Sequence, residues 1–207
     1  PSPLFLPFAR ILCGHFPPED IASLSPEKAA GLCASLWDMV EQRQPGQAAA
    51  RVRSPLQEAL PWSDGAAIIE IVNDDMPFLV DSITLEINRH GVPVHLVTHP
   101  VLFAGRDAQG RLVRLSAKPE EGLKAESVMH IRVPGYLEPS QAGALTSGIL
   151  SVLADVRLAV SDWPRMRATA AAVAGALEGA TLPVSAAERA ESVEFLRWVL
   201  ENNFTFL

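Results

Sequence analysis

The sequence predicts an α+β fold: a small antiparallel sheet with helices on one face, and further helices flanking it at both ends. Three observations carry this. Short β-branched apolar runs recur at residues 67–72, 92–103, 112–115 and 128–133. Segments with apolar residues every three or four positions separate and follow them, at 79–87 and 145–160. The two ends of the chain carry helical spacing without strand-like runs. Strand–helix–strand–hairpin–strand–helix answers to a small sheet with helices packed on one face, and leaves open the final strand that completes a ferredoxin-like unit.

The elements follow in order. Ser25 is placed to cap a helix with Pro26 at its first position, and Ala29, Leu32, Cys33, Leu36 and Val40 form its apolar stripe. Residues 44–66 are rich in Pro, Gly and Ala without a sustained period, and read as a linker. Residues 67–72 (AIIEIV) read as a central strand, broken by Asn73, Asp74 and Asp75. Met76 and Pro77 open a helix with Leu79, Ile83 and Ile87 on its buried stripe, and Gly91 ends it. Pro93 and Pro100 give the next strand an edge position or a bend.

Beyond the turn at 105–110 comes a strand near 112–115, then a charged loop at 117–126. A strand at 128–133 follows, with Met129, Ile131 and Val133 on one face. Ser140 is placed to cap a helix carrying Leu145, Ile149, Leu153 and Val160. Residues 163–178 form a separate Ala-rich helix, and Ser185 with Glu188 forms a capping box for the last one. Three regions result: a helical segment and linker at 1–65, the α/β domain at 66–162, and a helical segment at 163–207.

Composition narrows the function classes. The chain has 207 residues, 24 acidic and 17 basic side chains, and a net charge of −7. Its basic residues form pairs such as Arg51/Arg53 and Arg165/Arg167, so no nucleic-acid partner is expected. No uninterrupted apolar run approaches the roughly 18 residues of a membrane span, so no membrane partner is expected. Two cysteines, Cys13 and Cys33, cannot build a disulfide framework, which favours a cytoplasmic location; a single bridge between them remains open. The apolar run at 204–207 (FTFL), with no polar tail, reads as the interior of a longer chain.

The sharpest local motif is NDDMPF at 73–78, where a strand hands over to a helix. Asn73, Asp74, Asp75, Met76, Pro77 and Phe78 have two readings. In one, helix N–H groups and an Asp carboxylate form a corner for an amino-acid effector; in the other, one Asp caps the helix and the other is solvated. Asp81 and Ser82 follow on the helix, without a GxSxG elbow to make Ser82 a nucleophile.

His90, His95, His99 and His130 suggest no metal site. His95 and His99 are about 13 Å apart along an extended strand, so structural or hydrogen-bonding roles are expected. Arg106, Asp107, Arg111 and Arg114 read as a solvated basic hairpin that could meet an anion or a neighbouring domain. No GxGxxG or P-loop is present, so neither a cofactor site nor catalytic residues are expected in these 207 residues.

The run IEIVNDDMPFLVDSITLEINRHG at 69–91 resembles the N-terminal region of the large bacterial NAD-specific glutamate dehydrogenases. So do His99-Pro100-Val101, Arg106-Asp107, Glu126-Ser127, VLADVRLAVSDWPRM at 152–166 and EFLRWVLENNFTFL at 194–207. The resemblance covers most of the chain from about residue 66. It implies an ACT-like form of the ferredoxin-like sheet, serving as a regulatory or assembly domain. The parent would be a homo-oligomeric enzyme that oxidises L-glutamate with NAD, its catalytic and NAD-binding domains lying elsewhere in the polypeptide. The partners so implied are those other domains and other subunits. An amino-acid effector near Asn73–Phe78, Asp81, Ser82, His99 and Arg106 is the alternative role, and a small free-standing enzyme is the alternative of another class.

Overall fold

The computed structural model describes residues 2–206; Pro1 and Leu207, the outer limits of the expected regions, lie outside them. Helix α1 (Phe5–Cys13), α2 (Pro18–Ser23) and α3 (Pro26–Glu41) lead into strand β1 (Ala49–Arg53) and β2 (Ala67–Asp74). Helix α4 (Leu79–Arg89) is followed by β3 (Leu96–Thr98), β4 (Val101–Arg106), β5 (Leu112–Ser116) and β6 (Lys124–Val133). Then come α5 (Pro139–Gly179), α6 (Ala186–Trp198) and a last wide turn, Val199–Asn203.

The sheet is antiparallel throughout, in the order β1-β2-β6-β4-β5, with β3 also on β6. Central β6 pairs with all of β2 along one edge. Along its other edge it meets β3 at 130–132 and β4 at 124–127. The break between β3 and β4 falls at His99-Pro100, because Pro100 has no N–H to donate; its carbonyl still accepts from Val128 N at 3.0 Å. The bend expected at Pro100 is therefore present. This mixed architecture, helices on an antiparallel sheet, is the α+β class that the sequence predicts.

Alternation along β2 and β6 sorts the core into two layers. Ile68, Val72 and Val128 join Phe8 and Leu12 of α1 and Leu36 and Trp37 of α3 in one cluster. Ile69, Ile71, Met129 and Ile131 point the other way, where α4 brings Ile83 and Ile87 and the start of α5 brings Leu145 and Ile149; all are at most 1% exposed. Each such side chain contributes roughly 1.5–3 kcal/mol by leaving water. Helices α4 and α5 form the expected layer, and α1 with α3 covers the opposite face as well.

Several sequence expectations need correction. Residues 44–66 are not only linker: they hold β1, whose Arg51 pairs in register with Glu70. Strand β2 runs on through Asp74, and α4 begins at Leu79 rather than at Met76. Helices α1 and α2 lie within the segment expected to be helical, and its prolines sit where a helix tolerates them. Pro7 stands third in α1, where no intrahelical N–H bond is required, and Pro18 opens α2. The two helices expected at 140–160 and 163–178 are one, α5, which carries Pro164 within it.

The described residues form two compact units, the first ending at Ala154 and the second beginning at Asp155. Pairing of β1 with β2 and packing of α1 and α3 tie these elements to the sheet within the first unit. In the second unit a capping box joins Ser185 and Glu188, as expected; Arg189 donates to the Ala180 carbonyl and Arg197 pairs with Glu178.

By length and composition, α5 is long and apolar enough to cross a membrane, with mean hydropathy 1.5 over 18 residues. The expectation of no such segment counted uninterrupted apolar residues, whereas an average over the helix tolerates its Ser, Gly and charged positions. Within the first unit, α5 places Ala142, Leu145, Ile149 and Leu153 on a buried stripe.

Candidate functional site

The ends of β2 and β6 build the site. Asn73 pairs in register with Ser127, and Asp74 with Glu126. The pleat sends Asp74 and Glu126 to the α3 face and Ser127, with Asp75 beyond it, to the other. The motif read as one corner is thus two sites, back to back.

On the α3 face, Arg43 arrives from the segment just after α3. Its Nη2 donates to Asp74 Oδ1 at 2.8 Å and reaches Glu126 Oε1 at 2.6 Å, and its Nη1 donates to the Gln47 carbonyl at 2.8 Å. The other Asp74 oxygen accepts from Gly46 N at 3.0 Å. Arg106 closes the far side: Nε and Nη2 donate to the two oxygens of Glu126, each at 2.7 Å. Its remaining donors meet the carbonyls of Gly110 and Val40 at 2.8 and 2.9 Å.

The side chains of Arg43, Arg106 and Glu126 are only 2–3% exposed, and that of Asp74 27%. Burial alone would raise the Glu126 pKa; the hydrogen bonds and charges of Arg106 and Arg43 outweigh it and hold this carboxyl below its usual range. A cleft of 160 Å³ lies beside the group, lined by Pro45, Asp74, Ala104, Arg106, Lys124 and Glu126 among others. Two guanidinium groups meet two carboxylates here, so the network is charge-balanced within the chain.

On the opposite face, the Ser127 hydroxyl donates to Asp75 Oδ1 at 2.6 Å, and His99 Nε2 lies 2.9 Å from the Ser127 hydroxyl oxygen. With the hydroxyl proton committed to Asp75, His99 donates its Nε2–H, a tautomer assigned from these partners. Burial lowers the His99 pKa below its ordinary value; the Asp75 charge opposes that and His15 adds to it. An imidazole that donates to a serine cannot take that serine's proton, so this trio orders β2, β6 and the His99-Pro100 bend rather than activating a nucleophile.

The remaining candidates lie apart. Phe78 is left-handed (φ 70°) and 44% exposed, and it precedes α4 without any side-chain cap. The reading of Asp74 or Asp75 as a helix cap is therefore replaced: both are taken up by groups outside the helix. Met76 is half-buried, Pro77 and Asp81 are exposed, and Ser82 gives its backbone N–H to the Phe78 carbonyl. Arg106 is not part of a solvated hairpin; Asp107 instead shapes the turn by accepting from the Gln109 and Arg111 amides.

The histidines do not converge: His90 lies 3.0 Å from Glu86, and His130 is buried beside the Phe16 and Trp62 rings. Among the described residues, no group of three or more His, Cys, Asp or Glu side chains is arranged to hold a metal ion. Sequence reasoning assigned no site role to Arg43, nor to Glu126 and Ser127, which it marked only through the resemblance. It also passed over Glu70, fully buried in β2 and held by Arg51 and Ser35. Glu70 did leave a signal, a carboxylate inside the apolar run AIIEIV, where a buried charge requires a partner.

Comparison with known proteins places this arrangement. Residues 8–149 match the family model described as glutamate dehydrogenase, ACT1 domain. The chain is similar to the NAD-specific glutamate dehydrogenase of Halomonas elongata, 39% identical over 97% of this chain and 13% of that protein. It is 35% identical to the Pseudomonas aeruginosa protein of the same name, over 86% of this chain and 11% of that one. The Mycobacterium tuberculosis protein so named is 28% identical, over 67% of this chain and 9% of that one. The chain thus spans about an eighth or less of these relatives' length. The chain belongs to the glutamate dehydrogenase ACT1 domain family.

Proposed function

We propose that this chain is a non-catalytic regulatory and assembly domain of an NAD-dependent glutamate dehydrogenase. The whole cytoplasmic enzyme, a homo-oligomer, converts L-glutamate, NAD and water to 2-oxoglutarate, ammonium and NADH. NAD binds and reacts elsewhere in that polypeptide, and the partners of this domain are the other domains and subunits.

The observation that carries the assembly role is the balanced network of Arg43, Asp74, Arg106 and Glu126. A sensing corner needs unspent charges for the carboxylate and ammonium of an amino acid. Here Arg43 and Arg106 are committed to Asp74 and Glu126, so the corner on the α3 face acts as internal framework. The test is removal of these residues from the full-length polypeptide, followed by sedimentation. Loss of the oligomer is the expected result; an intact oligomer with unchanged glutamate oxidation contradicts the proposal.

A further inference from the structure

Helices α1 and α3 bring two thiols together that play no part in the network above. Cys13 is the last residue of α1, and Cys33 lies on the buried stripe of α3, twenty positions later. Their sulfurs are 3.6 Å apart. Cys33 is 2% exposed, inside the core cluster with Leu12 and Leu36, while Cys13 is partly open at the rim of that cluster. One thiol of the pair can therefore meet a small solute while the other is shielded.

We propose that Cys13 and Cys33 form a reversible disulfide, with a peroxide as oxidant, that staples α1 to α3. This goes beyond the domain role proposed above and does not depend on it. The Cys13 thiolate attacks one oxygen of hydrogen peroxide; the O–O bond breaks, hydroxide leaves and takes up a proton to give water, and Cys13 becomes the sulfenic acid. The Cys33 sulfur then attacks the Cys13 sulfur, the S–O bond breaks, and the departing hydroxide leaves as water with the Cys33 proton. Two thiols and one peroxide give one disulfide and two waters.

The order of attack follows from the surroundings. Burial, with the neighbouring Cys13, pushes the Cys33 thiol up to about 12, so it stays protonated and acts second. A disulfide needs sulfurs about 2.05 Å apart, and side-chain rotation with a small shift at the end of α1 closes the gap. Cys13 is the terminal residue of its helix, so this movement leaves the α1 ladder intact.

The test treats the folded chain with a small excess of hydrogen peroxide, blocks free thiols, and maps peptides by mass spectrometry. The expected product is a Cys13–Cys33 peptide in a monomeric chain whose intact mass has lost two hydrogens, with both thiols restored by dithiothreitol. Peroxide-treated Cys13→Ser, which alters only the partly exposed thiol, should leave Cys33 reduced. Cys13 oxidised onward to sulfinate, a disulfide between two chains, or two unreacted thiols would each overturn the proposal.

Discussion

Arg106 grips Glu126 with both arms of its guanidinium, two hydrogen bonds of 2.7 Å between side chains that are each 3% exposed. The pair locks β4 to β6 where β2 also ends, and Arg43 extends it to Asp74. Such a pair is weak evidence for net stability, because desolvation offsets much of the Coulomb gain. Removing one member, by contrast, leaves a buried charge without its counterpart.

Glu126→Ala should therefore lower unfolding stability by about 3–5 kcal/mol in urea titrations, and Arg106→Met by a comparable amount. The double variant Arg106→Met/Glu126→Ala should lose less than the sum of the single losses. Additive losses would mean that the two residues act independently.

His130 sets the acid limit. Burial, assisted by Arg132, lowers its pKa from 6.5 to about 4, so the folded state holds the ring neutral while the unfolded state charges it first. The unfolded chain then binds more protons between those values, and stability falls as pH falls. The stabilisation is complete above about 6.5 and is lost as pH drops through 4. Between pH 7 and pH 5 this one group removes about 2 kcal/mol. His130→Leu should flatten that interval in urea melts; an unchanged slope would assign it elsewhere.

At Gly148, α5 packs close against α4. A Cβ there would lie 2.0 Å from Glu86 Oε1 and 3.2 Å from His90 Nε2. Gly148→Ala forces Glu86 away from its bonds with Arg89 and His90, at a cost of about 1–3 kcal/mol. Glu86→Ala should reduce that penalty when combined with it, as measured by thermal unfolding of the four variants. Equal penalties in both backgrounds would locate the clash at the backbone.

Gly110 supports the charged network from below. Its φ of +84° suits glycine, and a Cβ would lie 2.6 Å from the Arg43 carbonyl oxygen. Gly110→Ala should cost about 1–3 kcal/mol and disturb the Arg43 N–H bond to the Gly110 carbonyl. Faster exchange of the Arg43 amide by NMR would report it; an unshifted amide would show that the turn absorbs the methyl group.

Local chemistry made part of this legible. Ser25 accepts from the Lys28 amide, and the Ser185/Glu188 box forms, because caps depend on residues within one turn. The apolar alternation of β2 and β6 and the stop at Gly91, with φ +71°, are local for the same reason. What escaped depends on distant partners. Asp74 stays in β2 because Arg43, 31 positions earlier, receives it. Strand β1 forms by pairing with β2, a partner that nothing in its Ala- and Arg-rich composition announces. Arg106 looked like one member of a solvated basic turn, yet Glu126, 20 positions on, draws it into the interior. Asp75 looked like a helix cap until Ser127, 52 positions on, took its carboxylate.

Isothermal titration of the chain with L-glutamate, 2-oxoglutarate and a panel of other amino acids separates a framework from a sensor. A framework whose Arg43, Arg106, Asp74 and Glu126 charges are spent on one another should give no binding heat with any of them. Saturable heat with any one, abolished by Arg106→Met while the chain stays folded, would make the corner a sensor instead.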